Sequence, residues 1–156
     1  MRRLLCVCVC LCVCLVSCNR NNYGEHPPYP TTGQVLVNGQ PAGDALIVFH
    51  PVEEWGRSIV PQAWTDADGR FVLSTYAMDD GAPAGDYRVV VEWPAYHSGR
   101  SIGPDRLGGK FAKRETSQLK AHVDKGTNEL PFNLQATLAK VEQTLKGKKN
   151  HKQGGK

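Results

Sequence analysis

The sequence predicts an all-β fold, a single antiparallel β-sandwich of seven strands, on three observations. Between Gly33 and Leu134 the apolar residues recur in short runs with a period of two, the repeat of a strand with one buried face. Turn dipeptides such as Asn38-Gly39 and Asp68-Gly69 punctuate those runs, and both types accept the positive φ that tight hairpins require. Seven such runs fall within about a hundred residues, the density of a sandwich rather than of an α/β fold.

Each element follows from its residues. "GQVLVNGQPAGDALIVFHP" gives a strand around Val35 and Val37, the Asn-Gly turn, and an apolar strand from Ala45 to Phe49. "AWTDADGRFVLSTY" gives Ala63 to Thr65, the Asp-Gly turn, then Phe71 and Leu73 on one side with Arg70 and Ser74 on the other. The alternation is cleanest in "GDYRVVVEW", which puts Tyr87, Val89, Val91 and Trp93 inward and Arg88 and Glu92 outward. Leu119, Ala121 and Val123 make the sixth run, and Leu130, Phe132 and Leu134 the seventh. Pro131 has no N–H to give a ladder, so the seventh strand is expected at an edge or with a bulge.

The flanks read differently. All six cysteines lie in the first eighteen residues, "MRRLLCVCVCLCVCLVSC". Arg2 and Arg3 followed by an apolar run from Leu4 to Val16 have the layout of a secretory signal peptide. At 1.5 Å per residue that run spans about 20 Å, short of the roughly 30 Å hydrocarbon core. Cys6, Cys8, Cys10, Cys12 and Cys14 serve there as small hydrophobes. "Leu15-Val16-Ser17-Cys18" resembles the bacterial lipobox. That resemblance implies a diacylglyceryl thioether on the Cys18 sulfur and cleavage between Ser17 and Cys18. Residues 1–17 are therefore expected to be the signal peptide, and 18–32 a lipidated tether. "NRNNYGEHPPYPTT" is polar and Pro-rich, and fully extended it reaches up to roughly 40 Å from the lipid. The two or more acyl chains that the lipobox implies would hold the protein on a membrane without ready dissociation.

Removal of residues 1–17 leaves Cys18 as the only cysteine, so the exported domain must be held by its hydrophobic core. The formal charge of +4 is unevenly placed. Residues 139–156 carry six lysines against Glu142, whereas 18–138 carry 11 basic and 14 acidic side chains. An acidic body gives no electrostatic footprint for nucleic acid. In the tail, 135–156, Leu138, Val141 and Leu145 fall at helical spacing within 135–146; a short helix is expected there, with a basic, disordered end beyond Gly147 that solvates the chain or touches anionic surfaces.

The ordered set "GQVLVNGQPAGDALIVF", "TDADGRFVL" and "GDYRVVV", followed by "DRLGGKFAKRETSQL", resembles the carboxypeptidase regulatory-like and transthyretin-like β-sandwich domains of small bacterial lipoproteins. The resemblance covers 33–134. It implies the fold and a structural, adhesive or binding role without catalysis, and it leaves the ligand open. Transthyretin-like folds include a purine-pathway hydrolase whose chain ends Tyr-Arg-Gly-Ser; this chain ends "KQGGK". Some related surface domains form a Lys–Asn isopeptide bond from a first-strand lysine, where this chain has Gln34, Val35, Leu36 and Val37.

Catalytic and metal motifs are sparse. His26, His50, His97, His122 and His151 lie singly. No cofactor is expected. Asp66 and Asp68, joined by Asp79 and Asp80, raise a calcium reading, but Gly69 falls at position four of the loop and Ala77 at position twelve, against the EF-hand requirement. A hairpin turn accounts for Thr65 to Gly69 better. The long connection 94–117 stands out, since loops beyond about 12–15 residues are uncommon and often functional. Tyr96, Arg100, Arg106, Lys110, Phe111, Lys113 and Arg114 give it aromatic surface and a net positive charge. Two readings follow: a contact for an anionic wall polymer or an acidic envelope protein, or a flap closing the sandwich with Leu107 and Phe111 in the core. Trp93 continues an inward face, Trp64 is out of phase with Ala63, and Trp55 lies in a loop, a weak case for a sugar platform. The expectation is a non-enzymatic, lipid-anchored module at an outer or cell membrane, facing periplasm or exterior. The alternative is an envelope enzyme or ligand-binding protein that uses the long loop.

Overall fold

The computed structural model describes residues 24–53, 60–98 and 101–139. Ser17, Cys18, Trp55, Arg100 and everything from Lys140 lie outside the described residues. Among the described residues the chain is all-β, with no helix. Twelve strands run in order: β1 (Pro28–Tyr29), β2 (Thr31–Val37), β3 (Gln40–Pro41), β4 (Leu46–Pro51), β5 (Gln62–Trp64) and β6 (Arg70–Val72). β7 (Ala82–Pro83), β8 (Gly85–Glu92), β9 (His97–Ser98), β10 (Ser101–Ile102), β11 (Lys120–Val123) and β12 (Asn128–Leu134) follow.

One four-stranded sheet has the order β11-β8-β4-β5 and is antiparallel throughout. In the other, β2 pairs with β12 along one edge and with β3 and β6 along the opposite edge. The two sheets meet where Gln62 and Ser74 exchange backbone hydrogen bonds at 3.0 Å. Asn38 and Gly39 turn β2 into β3 with φ of 52° and 80°, the doubly positive turn the dipeptide predicts.

The expected seven strands are corrected to twelve. The seven anticipated runs coincide with β2, β4, β5, β6, β8, β11 and β12, and the five additional strands are two residues each, too short to show a period. The all-antiparallel expectation is corrected as well. β12 runs parallel to β2 in the register Asn128↔Thr31 to Leu134↔Val37. A strand with one buried face alternates identically in either pairing, so the pattern carries no direction. Among these pairings β12 has a strand on one side only, and Pro131 sits there opposite Gln34, where its missing N–H costs no ladder bond.

The inward faces of both sheets form one core. Val35 and Val37 of β2, Ile47 and Phe49 of β4, and Tyr87, Val89 and Val91 of β8 are buried together with Phe71, Leu73 and Val123. Phe49 is central, with ring centroids 5.5 Å from Tyr87, 6.0 Å from Phe132 and 6.4 Å from Phe71. The first two partners meet it edge-on, the favoured aromatic geometry. Removing such a buried ring typically costs about 3–5 kcal/mol.

Two boundaries move. The tether read as 18–32 overlaps the fold, because β1 pairs with β7 and Thr31 is fully buried at the start of β2. The polyproline II conformation that Pro-rich segments favour lies beside the β region, so composition did not separate tether from strand. Of the helix expected over 135–146, residues 135–139 are non-helical, while Val141 and Leu145 lie outside the described residues. There the N–H of Ala136 is given to Asn38 Oδ1 and that of Ala139 to the Arg106 carbonyl. These partners hold 136–139 in a non-helical course.

Candidate functional site

The connection 94–117 begins as a hairpin. The Ala95 N–H donates to the Pro104 carbonyl and the Gly103 N–H to the Tyr96 carbonyl, and β9 pairs with β10 beyond them. Asp105 fixes the exit. Its carboxylate accepts the N–H groups of Trp93 (2.9 Å), Leu107 (3.0 Å) and Gly109 (2.7 Å). Nothing local in the sequence marks Asp105 as the acceptor for an N–H twelve residues upstream.

Beyond Asp105 the connection closes over the core, and Leu107 and Phe111 are buried in it. Phe111 is therefore corrected from binding surface to core. Ser117 is fully buried and donates to the Val89 carbonyl. The expected cationic patch is largely tied down. Arg106 donates to the Ala95 carbonyl and lies 5.0 Å over the Trp93 ring; Lys110 donates to the Gln135 carbonyl and Arg114 to the Pro51 carbonyl. Lys113 is exposed, and its carbonyl accepts the Thr116 and Ser117 N–H groups. Tyr96 is exposed on the hairpin stem. Arg100 lies outside the described residues.

The four aspartates of the calcium reading are not brought together. Asp66 Oδ1 accepts the N–H groups of Asp68 and Arg70, which is turn chemistry. The Asp80 carboxylate accepts those of Thr75, Tyr76 and Ala77. Among the described residues no group of three or more His, Cys, Asp and Glu is placed to hold a metal.

A groove of 790 Å³ opens beside the junction of the sheets, lined by residues of β2, β4, β5 and β6 with Asp79 and Glu129. That volume lies within the about 300–1,000 Å³ of small-molecule sites. Trp64 forms part of its wall. Because Ala63 packs on the core, Trp64 points outward and stays 39% exposed. His97 of β9 stacks on the indole at 4.3 Å between centroids and 12° between planes. The polar lining includes Gln62, Asp66, Arg70, Ser74 and Asp79. Asp79 sits at φ 59°, in the loop that the Asp80 carboxylate holds. The phase of Trp64 was legible in the sequence, but its partner His97 was not, since their approach depends on the course of the β9–β10 hairpin.

Two histidines are perturbed. Burial, then the Arg114 charge, holds His50 below the usual imidazole value. On the exposed edge, His122 Nδ1 lies 2.7 Å from Asp86 Oδ1 and Nε2 lies 3.6 Å from Asp124. The hydrogen bond to Asp86 is the main cause that raises His122.

No protein-family model matches the chain, and no curated protein matches it. Among solved structures it is similar to a DUF3823 family protein from Parabacteroides merdae ATCC 43184, at 15% identity and a TM-score of 0.42. That match covers 73% of this chain and 48% of the other. It is also similar to an (S)-allantoin synthase, at 18% identity and a TM-score of 0.42, over 74% of this chain and 44% of the other. The chain thus spans about half the length of the solved structures it matches.

Proposed function

We propose that this protein is a lipoprotein of the bacterial cell envelope, held by acyl chains on Cys18, that presents a transthyretin-like β-sandwich as a non-catalytic structural or binding module. The observation that carries the reading is "Leu15-Val16-Ser17-Cys18" at the end of an apolar run behind Arg2 and Arg3. The early start of the fold supports it. With β1 beginning at Pro28 and the His26 carbonyl already accepting from the Tyr76 hydroxyl, the spacer is no longer than residues 19–25, which at about 3 Å per residue reaches roughly 20 Å. The module then stands close to its membrane.

The burial of Leu107 and Phe111 and the bonds from Arg106, Lys110 and Arg114 to backbone carbonyls support a structural role for most of the connection 94–117. Its hairpin is the exception, because it delivers His97 onto Trp64 at the groove. That contact favours a binding module over a purely structural one.

Membrane fractionation of cells that express the wild type and Cys18→Ser tests the anchoring. Wild type in the membrane fraction and Cys18→Ser lost from it is the expected result. Equal membrane association of both overturns the proposal.

A further inference from the structure

We infer that the groove beside Trp64 binds a neutral carbohydrate, with the indole as the stacking platform and Gln62, Arg70, Asp66 and Asp79 as hydrogen-bonding groups. The inference rests on the reading of the protein as a binding module and adds the ligand class.

Three features select that chemistry. The first is the platform. His97 covers one part of the Trp64 ring at 4.3 Å and holds its plane, while 39% of the residue remains exposed and lines the groove. The negative face of an indole attracts the weakly positive C–H edge of a partner, and a pyranose ring presents a row of axial C–H groups. A stacked, immobilised indole loses little entropy when a ligand arrives.

The second is the polar set. Hydroxyl-rich ligands need donors and acceptors side by side, and the lining supplies both: amide, guanidinium and carboxylates. The Arg70 guanidinium and the Asp79 carboxylate have no hydrogen bond or ion pair among the described residues, whereas Asp80 beside them is fully committed to its loop. Asp66 spends one oxygen, Oδ1, on its turn. Site hydrogen bonds to sugar hydroxyls are thus available without breaking those that hold the fold.

The third is charge. Arg70 shares the groove lining with Asp66, Asp79 and Glu129, a net negative set that repels phosphate, sulfate and uronate groups. The cations of the connection 94–117, meanwhile, bond to carbonyls elsewhere. A neutral glycan meets the charge balance, and an anionic polymer does not.

The test uses the full mature chain in a detergent without a sugar head group. It is screened on an array of neutral and anionic glycans, and hits are titrated by calorimetry beside heparin and spermine. We expect binding of at least one neutral oligosaccharide. Trp64→Ala and Asp79→Asn should each weaken it by about tenfold or more, and His97→Ala by less. Lys110→Ala should leave it unchanged, and all variants should keep the wild-type melting temperature within a few degrees. Absence of neutral glycan binding, preference for heparin or spermine, or affinity indifferent to Trp64→Ala with the fold intact overturns the inference. Each of these outcomes is independent of whether Cys18→Ser leaves the membrane, so failure of the ligand and failure of the anchor are told apart.

Discussion

Asn38 and Ala136 form a reciprocal pair that ties the end of β2 to the end of β12. The Asn38 side chain donates Nδ2 to the Ala136 carbonyl at 2.8 Å, and its Oδ1 accepts the Ala136 N–H at 3.1 Å. With the Asn38 N–H given to the Leu134 carbonyl at 2.8 Å, the side chain extends the parallel β2–β12 ladder past its end. The same residue occupies the positive-φ position that makes the turn.

Separating the two roles is direct. Asn38→Gly keeps the turn and loses the clamp, so it should cost about 1 kcal/mol in urea unfolding; Asn38→Ala loses both and should cost about 2 kcal/mol. Equal stability of Asn38→Gly and wild type would remove the clamp from the account.

Tyr87 is buried beneath β8 and donates its hydroxyl to the Pro83 carbonyl at 2.6 Å. Burial drives its pKa upward, far from neutrality, so the group acts as a donor and not as an acid. Tyr87→Phe preserves the ring contact with Phe49 and leaves a carbonyl unpaired, which costs about 1–3 kcal/mol. Thermal unfolding of the two proteins measures the difference.

The loop from Ser74 to Gly81 depends on Asp80. Its carboxylate accepts three successive N–H groups, at 2.7, 3.0 and 2.9 Å. Asp80→Ala should destabilise the protein by about 2 kcal/mol and raise hydrogen exchange at Thr75 to Ala77. Calcium should leave the melting temperature of the wild type unchanged, and a rise of several degrees would reinstate the metal reading of these aspartates.

His50 and His122 should titrate on opposite sides of the usual imidazole value of 6.5. The raised His122 favours folding most below its unfolded pKa, and that contribution disappears as pH rises through its folded pKa. The lowered His50 works the other way. Its fold holds neutral imidazole, so stability is full above 6.5 and falls as the unfolded state takes up protons at lower pH. Two-dimensional NMR titration resolves both midpoints. Asp86→Asn should lower that of His122 and leave that of His50 in place.

Strand identity was written locally and strand direction was not. Tyr87, Val89 and Val91 announced β8 because a half-buried strand must alternate. The parallel seam of β2 with β12 joins residues about a hundred positions apart, as Asn38 and Ala136 are, and no local pattern encodes it. The same division runs through the groove. The outward phase of Trp64 followed from the inward Ala63, whereas His97 reached it through a hairpin inside a segment whose composition suggested a cationic loop. The bonds of Arg106, Lys110 and Arg114 to backbone carbonyls explain why that composition misled: charge on a loop is also a means of fastening it.

Mass spectrometry of the native protein, at the intact level and on its amino-terminal peptide, tests the proposed anchoring most directly. Our account predicts a chain that begins at Cys18, heavier than residues 18–156 by a diacylglyceryl group, with or without a further acyl chain on its α-amino group. A chain that retains Met1, or a Cys18 recovered with a free thiol, would contradict it.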